Sequence, residues 1–196
     1  VSIKKSERER YFTEAEFRRL LAAAKALGNR HRIVILAGGT LGCRIGETVL
    51  LRHENFNELD QNIVKVRRLK RRENSPDCEV ALNDEWVKEW KWVLSYDGPD
   101  RDPSSPWLLR SSHGDDQPIC RRTAMRLFKE VLKKSRLPEK YSTHALRHYC
   151  GMTSWQTSKD LVYVQQQLGH MTTHCTGRYI HMSIEDRVKV ARGIKR

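Results

Sequence analysis

With 196 residues, 38% of them hydrophobic and 31% charged, the chain is long enough for one well-buried core and too short for two independent ones. Lysine and arginine outnumber aspartate and glutamate by 37 to 24, a formal charge of +13, which points to a polyanionic partner, nucleic acid first, ahead of a surface made basic for solubility alone. No run approaches the roughly 20 apolar residues of a membrane helix or the core of a signal peptide, and five scattered cysteines without a CxxC pair exclude a disulfide framework and a zinc ribbon, so an intracellular protein with reduced thiols is expected.

The chain opens on Val1, and residues 1–10 are charged and linker-like, as expected of a piece cut from a longer protein with a further N-terminal domain. Thr13 with Glu16 forms a capping box, and Phe17, Leu20, Leu21 and Ala24 recur at helical spacing until Gly28. "RIVILAGGTLG" (Arg32 to Gly42) is apolar on all sides and predicts a buried helix; "CRIGETVLLR" starts another, with Arg44 at the junction. From Ile63 the period becomes two: Val64 and Val66, then Cys78, Val80 and Leu82, predict a hairpin with a long basic tip.

Trp86, Trp90, Val93 and Leu94 mark a helix capped near Asn83 or Asp84. The turn-rich stretch Tyr96 to Pro106 precedes an apolar "WLL" that returns the chain to the core. A further helix turns Ala124, Leu127, Phe128, Val131 and Leu132 inward, and helices are expected over Thr143 to Trp155, Ser158 to Leu168, around Tyr179 and from Ser183 onward. The fold class is mainly α with a small antiparallel β-sheet (α+β).

Two late segments, "STHALRHYC" (Ser142 to Cys150) and "LGHMTTHCTGRY" (Leu168 to Tyr179), hold more polar chemistry than a core needs. His144, Arg147 and His148 fall close to one helical face. Ala145 stands where a zinc-protease pair would carry glutamate, and an arginine between the histidines favours an anion over a metal cation, because a guanidinium pairs with phosphate oxygens.

The ordered pattern Arg, Lys, His-x-x-Arg-His, Leu-Gly-His, then Tyr nine residues after the last histidine, resembles the catalytic domain of the tyrosine recombinases, or phage-type integrases. Its members here are Arg44 in "GCRIGE", Lys70 in "RRLKRR", His144 and Arg147 in "HALRH", His170 in "LGH" and Tyr179 in "GRYIH". The resemblance begins at "YFTEAEFRRLL" and covers nearly all of the chain, so it implies a single catalytic domain over 1–196, paired in longer relatives with an N-terminal core-binding domain. Glu47 falls where the family carries a supporting acid; an acid one helical turn from Arg44 would hold its fork, or form an ordinary surface ion pair.

The resemblance implies site-specific cleavage and rejoining of double-stranded DNA through a covalent 3′-phosphotyrosine, without metal, ATP or other cofactor. Tyr179 would be the nucleophile and Arg44 and Arg147 the clamp on the non-bridging oxygens. Lys70 would protonate the leaving 5′-oxygen, His144 would act as acid and base, and His170 would donate to a phosphate oxygen. His148 would buttress the site, and His174 and His181 would serve in packing or at the surface. The tip between Lys70 and Val80 is longer than the family's common form, which leaves Lys65 as a rival for the lysine role.

Arg67, Arg68, Arg71 and Arg72 around the tip, with Arg121 and Arg122, are expected to contact DNA phosphates or to remain solvated charges. Family members assemble as tetramers on DNA and exchange C-terminal tails, a role open to Ser183–Arg196; a monomer is expected without DNA and no membrane association is expected. Three other readings compete: a DNA-binding module on the same fold without chemistry, a type IB topoisomerase, and a metal-dependent nuclease. The intact residue set speaks against the first, the "LGH" segment against the second, and the lack of a carboxylate cluster against the third.

Overall fold

The Thr13 hydroxyl accepts from the Glu16 amide at 3.2 Å while the Glu16 carboxylate accepts from the Thr13 amide at 2.8 Å, and this reciprocal cap starts helix α1 (Glu14–Leu27). The computed structural model describes residues 11–69, 76–98, 104–112 and 116–170. Gly28, at φ 127°, ends α1 and immediately begins α2 (Asn29–Gly39). Every residue of α2 from Ile33 to Gly39 is buried, as its unbroken apolar sequence requires, and so is Arg32 before them.

Helix α2 is the central element. Around it pack α1, the one-turn α3 (Ile45–Thr48), α4 (Asp84–Ser95), α5 (Arg121–Lys134) and α6 (His144–Ser158). Its one buried charge, Arg32, is paired with Glu89 of α4 and stacks 3.8 Å from the Trp92 ring centroid. Helix α5 buries Ala124, Leu127, Phe128, Val131 and Leu132, the five positions expected from its spacing.

Strands β1 (Ile63–Val66) and β2 (Cys78–Ala81) pair antiparallel, with Val64 opposite Val80 and Val66 opposite Cys78. The inward residues Val64, Val66, Cys78 and Val80 are buried, while Lys65 points away and pairs with Glu58. A last helix, α7 (Leu161–Leu168), packs on β2. Gln167 fastens the two, its Oε1 accepting from the Ala81 amide at 3.2 Å and its Nε2 donating to the Ala81 carbonyl at 2.7 Å.

Three boundaries differ from expectation. The helix begun at Arg44 lasts one turn, because the Leu51 carbonyl accepts from the Leu108 amide at 3.0 Å and Arg52 bridges to Trp107, which draws the chain into an extended path. That pairing is how the "WLL" stretch returns to the core, with Leu109 fully buried. Helix α6 runs on to Ser158 before Lys159 turns left-handed at φ 54°, and α7 starts after Asp160, whose side chain accepts from the amides of Val162 and Tyr163. The helices expected around Tyr179 and from Ser183 lie outside the described residues. No described helix is long and apolar enough to cross a membrane.

Candidate active site

Glu47 is the centre on which the candidate residues converge. Arg44 caps α3: its backbone amide donates to Glu47 Oε2 at 2.9 Å and its Nη1 to Glu47 Oε1 at 2.9 Å. The Glu47 side chain is fully buried, whereas that of Arg44 is 24% exposed, so the ion pair is not the surface pair that its spacing also allowed. Arg68 Nη1 donates to Glu47 Oε2 at 3.2 Å, and Arg147 Nη1 lies 3.8 Å from the same oxygen. One carboxylate thus faces three guanidinium groups, and the local charge stays positive. Burial alone would push the Glu47 carboxyl up, but Arg68, the Arg44 amide, Arg147 and Arg44 together hold it below the usual carboxylate range.

Arg147 lies in the first turn of α6 and is buried. Its Nη2 donates to the Leu168 carbonyl at 2.8 Å and its Nη1 to the Gly42 carbonyl. Gly42 takes φ +61° in the turn after α2, a conformation that suits glycine, and a Cβ there would come 2.6 Å from Leu168 Cδ2, so this turn and the end of α7 approach closely. His144, at the first position of α6, is exposed, and His148, one turn later, is half-buried.

His170 follows the left-handed cap Gly169 of α7. Its amide donates to the Gln165 carbonyl at 3.0 Å, its carbonyl accepts from Gln165 Nε2 at 3.2 Å, and the residue is half-buried. The Leu168 carbonyl that receives Arg147 lies two residues before it, so the ends of α6 and α7 that carry Arg147 and His170 are directly joined.

Among the basic residues expected at phosphates, Arg67 is exposed and pairs across the hairpin with Asp77 at 3.8 Å. Arg121 and Arg122 are exposed at the start of α5, and the Arg121 guanidinium lies over Gly46, where an added Cβ would meet Nε at 2.8 Å; that puts Arg121 beside the Arg44 turn. Arg68 requires a correction. Its side chain is 1% exposed and points inward, so it is no phosphate contact. The reason is strand alternation, since Arg68 continues the inward face of Val64 and Val66. Lys70, Arg71, Arg72, His174, Tyr179 and His181 lie outside the described residues.

Sequence reading missed two groups. Arg68 carried a usable signal in its period-two register, hidden by the basic run around it; Gln167, buried in "QQQL", carried none. Behind the arginines, Cys43 Sγ lies 3.8 Å from Arg68 Nη1, Cys78 Sγ donates to the Gln166 carbonyl at 3.1 Å, and Cys150 Sγ donates to the Thr40 carbonyl at 3.6 Å. Burial pushes the Cys43 thiol up to about 12 and the Cys150 thiol up to about 11, so both stay neutral and add no negative charge to the cluster. Among the described residues, no group of three or more His, Cys, Asp and Glu is placed to hold a metal ion.

Two arginines beside one carboxylate, Arg44 partly exposed and hydrogen-bonded to it and Arg147 buried and held by backbone carbonyls, with histidines at the adjoining helix ends, make a positive site suited to a tetrahedral oxyanion, which guanidinium groups bind by charge-assisted hydrogen bonds. The sequence model of the Phage integrase family matches residues 10–185. The tyrosine recombinase XerC of Staphylococcus carnosus (strain TM300) is 27% identical over 184 residues, covering 92% of this chain and 60% of the relative. The chain spans about half the length of the curated relatives from two Chlamydia species that it matches. The crystal structure of XerA recombinase superposes with a TM-score of 0.70 at 25% identity, covering 95% of this chain and 66% of the other. The Tn1549 transposon integrase, solved with transposon right end DNA, shares the fold with a TM-score of 0.75 at 16% identity, covering 98% and 69%. With a family match over nearly all of its length and a fold shared with recombinase structures, the chain belongs to the phage integrase family.

Proposed function

We propose that this chain cleaves and rejoins double-stranded DNA by site-specific recombination through a 3′-phosphotyrosine formed on Tyr179. The observation that carries the reading is the convergence of Arg44 and Arg147 on the buried Glu47 carboxylate, with α6 and α7 joined so that His170 follows the carbonyl that receives Arg147. Tyr179 attacks the scissile phosphorus, a bond to the tyrosine oxygen forms, and the bond to the 5′-oxygen breaks. Arg44 and Arg147 neutralise the non-bridging oxygens as charge builds on them. Lys70 gives the leaving 5′-oxygen its proton, His144 manages the tyrosine proton, and His170 donates to a phosphate oxygen, with His148 in support. Reversal of the same step reseals the strand, so the bond energy is conserved without ATP.

The net charge of +13 supports DNA as partner. Arg67, Arg121 and Arg122, with Arg71 and Arg72, are the phosphate contacts in this reading. A tetramer on DNA, tail exchange through Ser183–Arg196, an N-terminal domain that completes the clamp, and action wherever the target DNA lies inside the cell belong to the same proposal, by analogy with the family.

Covalent trapping tests it. The chain and a Tyr179→Phe variant are incubated with nicked suicide DNA in EDTA and run on a denaturing gel. An adduct from the parent and none from the variant supports metal-free transesterification by Tyr179. Binding without an adduct favours the DNA-binding module instead, and cleavage abolished by EDTA favours a metal-dependent nuclease.

A further inference from the structure

Arg68 lies in a run of basic residues, yet its guanidinium is among the most deeply buried charges in the molecule. Nη2 donates to the Leu41 carbonyl at 2.9 Å and to the Gln167 carbonyl at 2.9 Å. Nη1 donates to Glu47 Oε2 at 3.2 Å and reaches the Gly42 carbonyl at 3.4 Å. Gly169 closes over the stem: a Cβ on it would meet Arg68 Cγ at 2.8 Å and Nε at 2.9 Å. The acceptors belong to three separate segments, namely the turn after α2, helix α3 and the end of α7.

We propose that Arg68 is a positioning residue for strand cleavage, a buried clamp that sets Arg44, Arg147 and His170 relative to one another from behind. The proposal rests on the reading of the site as a DNA cleavage centre. Glu47 orients Arg44, and Arg68 orients Glu47. The Gly42 carbonyl, which Arg68 reaches on one side, receives Arg147 on the other. Gln167, whose carbonyl Arg68 holds, stands three residues before His170. Arg68 itself stands two residues before Lys70 in the sequence.

The two Nη atoms of Arg68 spread their N–H groups over four acceptors. A lysine ammonium keeps the charge but offers only three donors from a single nitrogen, so it cannot span the same acceptors. Arg68 also supplies much of the positive charge that keeps the buried Glu47 ionised, and a neutral Glu47 would loosen the hold on the Arg44 guanidinium.

The test compares the parent chain with Arg68→Lys, Arg68→Met and Leu132→Ala, the last a core truncation in α5 remote from the site. Adduct formation on nicked DNA is timed at saturating DNA and across pH, affinity is titrated separately, and amide exchange is followed by mass spectrometry. Both Arg68 variants are expected to cleave about 100-fold more slowly, the scale of a small misplacement of reacting groups. Affinity should change less than about threefold, because surface phosphate contacts are untouched. Exchange should rise at residues 41–48 and 166–170, and the acid limb of cleavage should move to higher pH in Arg68→Met. Leu132→Ala should leave that limb in place.

Cleavage by Arg68→Lys within about threefold of the parent would overturn the clamp, since lysine keeps the charge and loses only the fork. That variant also decides the matter should Arg68→Met not fold. A parent that forms no adduct counts against the cleavage reading, and exchange then judges Arg68 alone: lost protection at the two segments supports the clamp, and parental protection there overturns it.

Discussion

Glu47 and Arg68 meet at 3.2 Å with side chains 0% and 1% exposed, and the same carboxylate takes two hydrogen bonds from Arg44. A buried anion shared in this way is a structural necessity for the guanidinium groups around it. Taken away, it leaves them facing one another in a medium that screens poorly.

Glu47→Gln should therefore cost stability as well as activity. The variant keeps an acceptor but loses the charge, and a loss of about 3 kcal/mol is expected in urea denaturation, the scale for breaking a buried pair from one side. Adduct formation should fall along with it, because Arg44 loses the partner that orients it.

The same residue makes stability depend on acid. The Glu47 carboxyl is held below the ordinary carboxylate range, so its contribution is fully present above the unfolded value and is lost as pH falls through the folded one. In thermal melts taken from about pH 7 down to about pH 3, the parent's advantage over Glu47→Gln should shrink steadily below about pH 4.5. An advantage that is constant with pH would contradict the assignment.

Gly169→Ala places a side chain at φ +63° and against the Arg68 stem. The backbone conformation alone costs an L-residue about 1 kcal/mol, and the clash with Arg68 adds to it, so a loss of about 2 kcal/mol is expected in denaturant titration. Because His170 is the next residue, cleavage should fall by more than the lost stability explains.

Two tyrosines should respond in opposite ways to loss of the hydroxyl. Tyr149 stacks on Phe17 at 4.2 Å and donates to the Glu14 carboxylate, and burial with Glu14 raises its hydroxyl well above the ordinary phenol range. Tyr149→Phe is expected to lose about 1 kcal/mol of stability and to keep forming the DNA adduct. Tyr179→Phe is expected to fold normally and to form none.

DNA binding should weaken steeply between about 50 and 200 mM salt. Arg121→Ala and Arg122→Ala should each lower affinity for all sequences alike and reduce the salt slope by about 1, as measured by fluorescence anisotropy. A slope unchanged in both would remove the start of α5 from the interface.

The elements were legible in the sequence because their signals are local. The Thr13–Glu16 cap, the inward spacing of α5 and the alternation of Val64 and Val66 are read from residues a few positions apart. Where a boundary was missed, as after Thr48, the competing partner was the distant Leu108 amide, which no short window contains.

The sequence by itself determined which residue types stand in which order: the helices, the hairpin, and the arginine, histidine and tyrosine pattern of the family. What only the tertiary structure decided is what each charge faces. Arg67 and Arg68 are neighbours of identical chemistry, yet one lies at the surface beside Asp77 and the other is sealed against Glu47 and three carbonyls. Alternation puts them on opposite faces, but which face is buried depends on α7 packing across the sheet, an event about one hundred residues away in the chain. Burial then turns a charge that on the other face would have stayed at the surface into an internal clamp, because a guanidinium out of water must find fixed acceptors and so fixes whatever supplies them.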